Sequence, residues 1–424
     1  MSESAVTGVQ ALAEPTVRVR APFMAGLALA NLGIMVAFFA PLQSLLPRMS
    51  EQIAGADGKE AALAVVTGVG VIGSVIGNPL AGALSDRTTS RFGRRRPWLL
   101  GGSLLGFVGL VLLPNMNSIF TLTIAWLCVQ FAVNAAYAGL TATIPDQVPV
   151  DQRGVASGLV GLAQAFGPVL GVGLVSFVVM SLTGGSYLTA VLFVLCVLPF
   201  LFILKDPPLP KADKPPFELG PFVRSFWVSP RQHPDFGWAW LSRFLVSLSI
   251  AMATLYLLFF LTDHLNFDSE TAGQRQTVLL ALYAGGTMLT AVIGGYISDR
   301  MGKRKVFVIV STVIIAVAGF MLAFVPEGQD GWGITMAAAL VLGIGYGWYL
   351  AVDQALITQV LPTAGDRAKD LGVINIANSM PQVLAPVLAA VLVTSLGGYT
   401  SLFLAVAVIT LAGAVSIVPI KSVP

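Results

Sequence analysis

Asp86-Arg87-Thr88-Thr89-Ser90-Arg91-Phe92-Gly93-Arg94-Arg95-Arg96-Pro97 sets five arginines in twelve residues. The chain around it has 424 residues, of which only 11% are charged and 56% are hydrophobic, and its mean hydropathy is +0.83. Apolar runs long enough to cross a bilayer lie on both sides of the arginine-rich stretch. No soluble domain keeps its surface wet with so few charges, so the composition implies a polytopic membrane protein. A basic block of this kind stays on the cytoplasmic side and thereby orients the helices next to it. A shorter copy, Gly295-Tyr296-Ile297-Ser298-Asp299-Arg300-Met301-Gly302-Lys303-Arg304-Lys305, follows 213 positions later and matches Asp86 with Asp299.

Outward from these loops the chain reads as twelve apolar spans, near 21–46, 61–85, 97–115, 118–146, 153–180, 186–204, 236–262, 274–298, 306–325, 331–361, 367–395 and 398–420. Irregular backbone is costly in hydrocarbon, so every span is expected to be a helix and the fold class all-α. The expected domains are an N-terminal six-helix bundle at 1–205, a cytoplasmic linker at 206–235 and a C-terminal six-helix bundle at 236–424. With both termini inside, 20 of the 24 lysines and arginines fall on the cytoplasmic side. Arg48, Lys59 and Arg275 fall outside, and Arg243 lies within a span. That asymmetry supports the orientation and a multi-pass place in the cell (inner) membrane. The first twenty residues end on Arg18 and Arg20 with no small-residue cleavage site, as in an uncleaved cytoplasmic tail. In the linker Phe217, Phe222, Phe226 and Trp227 interleave with Arg224, the pattern of a short interfacial helix or of plain headgroup anchoring.

The two halves repeat beyond the basic loops. Arg153-Gly154-Val155-Ala156-Ser157-Gly158 and Arg367-Ala368-Lys369-Asp370-Leu371-Gly372 share their Arg-to-Gly spacing at an offset of 214. Pro149 and Pro362 precede them in parallel, and Gln164 and Asn378 fall in register. Six plus six helices in parallel halves suit an alternating-access transporter with its substrate site between the halves near the midplane.

An ionisable group inside a span is expensive and marks a functional candidate. Asp353 lies about 13 Å inward from Pro362 along helix ten, and Arg243 roughly 10 Å inward from Phe236 along helix seven. These matching depths predict that the two face each other, with Asp353 as the proton or cation site. A purely structural ion pair is the alternative. Polar residues form further stripes. Gln130, Asn134, Tyr137 and Thr141 share a face of helix four, and Tyr346, Tyr349 and Asp353 one of helix ten, with Trp348 beside them. Arg243, Ser247 and Thr254 mark helix seven. Amides, hydroxyls and aromatic rings with few charges suit a neutral polyol. Interhelical hydrogen bonding is the plainer reading, and it is the expectation for Asn375, Asn378 and Gln382 on helix eleven. Asn31 and Gln43 on helix one, and Gln164 on helix five, are lesser candidates of the same kind. The expected substrate contacts are therefore Gln130, Asn134, Tyr137, Thr141, Tyr346, Tyr349 and Asn31. Gly68, Gly70, Gly73 and Gly77 on helix two are expected to serve close packing.

Cys128 and Cys196 sit in apolar segments and read as core residues. His233 and His264 offer no metal spacing, and no nucleophile–base pair appears, so neither an enzyme nor a cofactor is expected. A proton or sodium ion is the expected coupling ion. The expected partners are a small-molecule substrate and membrane lipid, with no nucleic acid, and a monomer is expected to suffice.

Gly82-Ala83-Leu84-Ser85-Asp86-Arg87, continued by Arg91-Phe92-Gly93-Arg94-Arg95-Arg96-Pro97, resembles the loop motif of the major facilitator superfamily. Its extended form resembles the sucrose transporters and the related glycoside–cation symporters, as does Leu371-Gly372-Val373-Ile374-Asn375-Ile376-Ala377 leading into Pro381-Gln382. The resemblance implies cation-coupled sugar or glycoside transport, with helices seven and ten lining the cavity. It also implies a conformational latch that holds the halves together in the outward-open state. Asp86, Arg87, Arg91 and Arg94 would serve it in one half, and Asp299, Arg300 and Lys303 in the other, while Arg95 and Arg96 would meet anionic lipid. The chain departs from the sucrose branch on helix four, where Gln130 and Thr141 stand at the places of that branch's acidic residue and arginine. Export of an amphipathic compound is the alternative on the same fold. A receptor or scaffold would call for a long soluble tail or loop, against which the short connections speak.

Overall fold

The computed structural model describes residues 15–179, 181–214, 220, 233–301, 304–360 and 367–420. Every regular element among them is helical. The first group is α1 (Ala21–Ala54), α2 (Lys59–Ser85), α3 (Arg96–Leu112), α4 (Ile119–Gln147), α5 (Val150–Gly173) and α6 (Leu182–Ile203). The second is α7 (Pro234–Leu255), α8 (Ser269–Met301), α9 (Arg304–Ala323), α10 (Trp332–Val360), α11 (Arg367–Ser395) and α12 (Gly398–Ile417). Ten helices among the described residues are long and apolar enough to cross a membrane. The other two of the expected twelve, α8 and α11, include residues whose side chains fall outside that description.

The helix ends follow local chemistry. Pro97 opens α3 in its first turn, where a missing N–H costs nothing. Ser118 caps α4 by accepting from the Thr121 N–H, and Ser181 caps α6 through the Gly184 N–H. Asp268 caps α8 by accepting from the N–H groups of Glu270 at 3.1 Å and Thr271 at 3.0 Å. A hydrogen bond from the Thr271 side chain, and after it these backbone bonds, hold the Asp268 carboxyl below the ordinary value. Helix α1 runs to Ala54, beyond the expected end at 46, because it passes Pro41 through a π-helical turn, Pro41–Leu45. Helix α7 breaks at Tyr256, resumes at Leu257–Phe259 and passes into a π-helical turn, Phe260–His264.

The chain divides into two compact units, one of Met1–Ala62 with Val69–Phe217, the other of Leu63–Gly68 with Glu218–Pro424. Within the first, α1 packs on α5 and α6, and α3 packs on α4 and α6. Within the second, α7 packs on α11 and α12, and α9 on α10 and α12. Adding six to each helix number carries the first set of contacts onto the second, so the repeat legible in the loops extends to the packing.

Small residues set the approach in these contacts. The Trp126 indole occupies the place a Cβ on Gly70 would take. Cys196 lies half-buried against Gly33 of α1. Cys128, by contrast, is exposed on α4, so the expectation of two core cysteines holds only for Cys196. Both are free thiols.

Candidate functional site

In the second unit Arg243 of α7 and Asp353 of α10 meet, and both are almost wholly buried, 4% and 3% exposed. The Arg243 Nε donates to Asp353 Oδ2 at 2.7 Å, and a terminal guanidinium nitrogen donates to the same oxygen. The other oxygen, Oδ1, accepts from the Tyr349 hydroxyl at 3.0 Å. Three donors thus converge on one carboxylate, the arrangement that keeps a buried charge tolerable. The spacing on α10 explains the third donor, since Tyr349 and Asp353 are four residues apart and share a helix face.

Tyr346 stacks on Tyr349 with centroids 6.3 Å apart, and Tyr283 of α8 stacks on Tyr346 at 5.8 Å. Tyr346 and Tyr349 belong to the polar stripe read from the sequence, whereas Tyr283 stands on another helix in an ordinary apolar run. Tyr283 also borders a small cavity of about 30 Å³, with Thr254, Leu257 and Thr335 among its other walls.

In the first unit Gln130 and Asn134 are buried, whereas Tyr137 and Thr141 are partly exposed. Asn134 Nδ2 donates to the Gln130 carbonyl at 2.8 Å, and the Thr141 hydroxyl to the Tyr137 carbonyl at 2.9 Å. Thr141 thereby commits its one donor, and Asn134 one of its two amide N–H groups, to their own helix. Asn31, fully buried on α1, likewise donates to the Leu27 carbonyl at 2.9 Å. The amide oxygens of Asn31 and Gln130 have no partner among the described residues. Tyr137 is different: its hydroxyl accepts from Gln164 Nε2 of α5 at 3.1 Å, and its ring meets that of Phe38 edge-on at 6.4 Å.

The arginine-rich loop is tied to several helix ends of the first unit. Arg95, 4% exposed, binds Asp146 Oδ2 at 2.7 Å and Asp86 Oδ1 at 2.5 Å, and donates to Ser85 Oγ at 2.9 Å. Burial opposes its charge, but the carboxylates of Asp146 and Asp86 outweigh that, so its guanidinium lies above the ordinary value. Arg94 reaches Asp146 Oδ1 at 2.9 Å. Asp206, just past α6, accepts from the backbone N–H of Arg95 at 2.6 Å and of Arg96 at 2.8 Å. It fills the space beside Gly93, whose φ of +97° only glycine adopts readily. Arg96 also donates to the Leu204 carbonyl. The expectation that Arg95 meets lipid is thus overturned, because carboxylates from the ends of α2 and α4 surround its guanidinium, whereas Arg96 is half-buried with the Leu204 carbonyl on its side chain.

Of the other expected latch residues, Asp86 is engaged by Arg95, and Arg91 is exposed with its guanidinium 4.8 Å from the Phe92 ring centroid. Asp299 and Arg300 fall in the last turn of α8, where side chains lie outside the described residues, and Lys303 lies outside them altogether. The side chains of Asn375 and Asn378 do so too.

The Major Facilitator Superfamily profile matches residues 21–279 and 239–423. A general alpha-glucoside permease of Schizosaccharomyces pombe is 35% identical over 118 residues, 24% of this chain and 21% of that protein. An uncharacterised symporter of Synechocystis is 35% identical over 85 residues, 18% of this chain and 15% of its own. An organic cation/carnitine transporter of Arabidopsis thaliana is 32% identical over 84 residues, 19% of this chain and 16% of its own. The matched part is thus about a fifth or less of the length of these curated relatives. Among solved structures, the nucleoside transporter NupG superposes with a TM-score of 0.75 at 14% identity, over 94% of this chain and 99% of that one, in a mutant form. A D-xylose–proton symporter does so with 0.69 at 16% identity, over 95% and 98%. At such identities the likeness speaks for the fold. The family profile spans nearly the whole chain, and the helices, their repeat and these neighbours agree with it: the chain belongs to the major facilitator superfamily, and is a multi-pass membrane protein.

Proposed function

We propose that this transporter moves a small neutral polyhydroxy solute, a sugar or glycoside, by alternating access coupled to a proton or cation gradient. In this reading it has twelve spans in the cell (inner) membrane with both termini cytoplasmic, and it works as a monomer. The observation that carries the coupling is the Arg243–Asp353–Tyr349 cluster. Every lone-pair direction used on that carboxylate is taken by a donor, and a proton added to Oδ2 would compete with the guanidinium for the same oxygen. Protonation and ion pairing are therefore alternatives, and two such states are what a gradient needs in order to act. The polyol reading is supported by the neutral donors and acceptors on α4 and by the sugar and glucoside names among the relatives. No feature favours the amphipathic-exporter alternative.

Counterflow of labelled mono- and disaccharides into liposomes holding the purified protein tests both parts. Exchange of a sugar is expected. With Asp353→Asn, exchange should persist while uphill accumulation under a proton or sodium gradient is lost. Accumulation by that variant at the wild-type level would refute the coupling role, and silence across the sugar panel would refute the substrate class.

A further inference from the structure

Helix α5 carries three faces. Ala156, Ala163, Gly167 and Gly171 are buried. Val155, Leu162, Phe166 and Leu170 are exposed by 62%, 42%, 43% and 40%, a greasy stripe of the kind lipid covers. The third face is also exposed but is made of Gly154, Ser157, Gly158 and Gly161, and a Cβ placed on any of the three glycines would meet nothing within 4 Å. At 100° per residue it lies roughly 125° around the helix from the greasy stripe. Gln164 stands at the edge of this small face, exposed, and reaches across to Tyr137 of α4.

This polar pair joins α4 to α5, and it is chemically incomplete. The Tyr137 oxygen accepts from Gln164 Nε2, so its own proton remains to be donated. Gln164 keeps its Oε1 acceptor and a second N–H. The pair therefore offers a donor and an acceptor side by side, with the two anchoring atoms 3.1 Å apart. Two hydroxyls on neighbouring carbons present the complementary set at a similar separation. Nearby, the Gln130 Oε1 on the same α4 face, two turns from Tyr137, is 95% buried with its residue and without a partner among the described residues. Phe38 fixes the Tyr137 ring from the side. Of the other members of the α4 stripe, Thr141 has spent its one donor on the backbone and Asn134 one of its two amide N–H groups.

We propose that Gln164 and Tyr137 recognise a vicinal diol of the transported solute, and that Gln164 is a specificity-determining residue of this transporter. The proposal rests on the transport reading above and narrows it: the required feature is two adjacent hydroxyls, not a particular sugar.

The test is competition. Labelled glucose and xylose are exchanged into liposomes against unlabelled forms and their singly deoxygenated analogues. The analogue lacking one hydroxyl of the recognised pair should compete about tenfold more weakly with the wild type, the loss expected for an unpaired polar contact. In Tyr137→Phe and Gln164→Ala that discrimination should collapse towards unity. A general packing defect would raise all half-saturation values together and leave their ratio in place. Gln164 is exposed, so Gln164→Ala carries the test if Tyr137→Phe does not fold. Equal competition by every deoxy analogue in the wild type, or a ratio untouched in both variants, would overturn the proposal while the transport reading stands. Absence of any sugar exchange by the wild type would overturn both.

Discussion

The ion pair of the second unit gives the sharpest test of how this protein tolerates charge inside the membrane. With Arg243 and Asp353 only 4% and 3% exposed, removing either partner leaves the other charge buried and unmatched. That costs about 3–5 kcal/mol. Asp353→Leu also strands the Tyr349 hydroxyl, a further penalty of about 1–3 kcal/mol. For a unit of this size, 3–5 kcal/mol corresponds to a fall of about 6–20 °C in unfolding midpoint. Arg243→Met alone should fall in that range, and Asp353→Leu at or beyond its upper part. Combining them removes both charges, and adding Tyr349→Phe removes the last unsatisfied group, so the triple variant should return to within about 1–2 kcal/mol of the wild type. The assay is thermal unfolding of the detergent-solubilised protein, followed by aggregation or intrinsic fluorescence. If the effects of the single changes simply add in the triple variant, the cluster is not desolvated in the way its geometry implies, and the competition between proton and guanidinium loses its basis.

Asp206→Ala should destabilise the first unit by about 1–2 kcal/mol, because it uncaps α3 at two backbone N–H groups; a lowered unfolding midpoint with enhanced proteolysis at the loop would register it. Gly93→Ala should be worse than an ordinary loop substitution, since it forces a side chain into a φ of +97° and against Asp206, and a double variant with Asp206→Ala should recover only the steric part. Gly70→Ala should cost about 1–3 kcal/mol through collision with Trp126, and pairing it with Trp126→Phe should restore part of the loss in the same unfolding assay. The Asp268 cap should show a pH dependence. Its carboxyl is depressed in the folded state, so its contribution is present above the unfolded pKa and fades as pH falls through the folded one. The protection factor of the Thr271 amide, its exchange corrected for the intrinsic pH dependence, should therefore fall on acidification in the wild type and lose that dependence in Asp268→Asn.

Much of the architecture was legible because bilayer physics leaves little freedom: apolar length gives spans, and duplicated basic loops give two repeating sets of helices. Asp353 and Arg243 could be picked for the same reason, since an unexplained charge in an apolar run needs a partner at its own depth. What escaped was geometry between distant segments. Nothing near Arg95 in the chain announces Asp146 or Asp206, which lie 51 and 111 residues away. Tyr283 looks like any aromatic of an apolar helix until its ring is found on Tyr346. On the α4 stripe, carbonyls four residues back are within reach of Asn or Thr, and Asn134 and Thr141 each donate to one. Periodicity shows which face a residue occupies but not whether its valences are already spent.

The knot around Arg95 also has a history in time. Chains leave the ribosome at roughly 5–20 residues per second. Asp146 therefore follows Arg95 by about 3–10 s, and Asp206 by about 6–22 s. Until then the arginines of this loop have Asp86 as their one carboxylate close by in the chain, and they meet the insertion machinery and the lipid headgroups with nearly their full charge. Only when the fourth helix and the exit of the sixth arrive do Arg94 and Arg95 gain the counter-charges of the finished protein. The same residues thus act first as an address for the nascent chain and later as a fastening of the folded one.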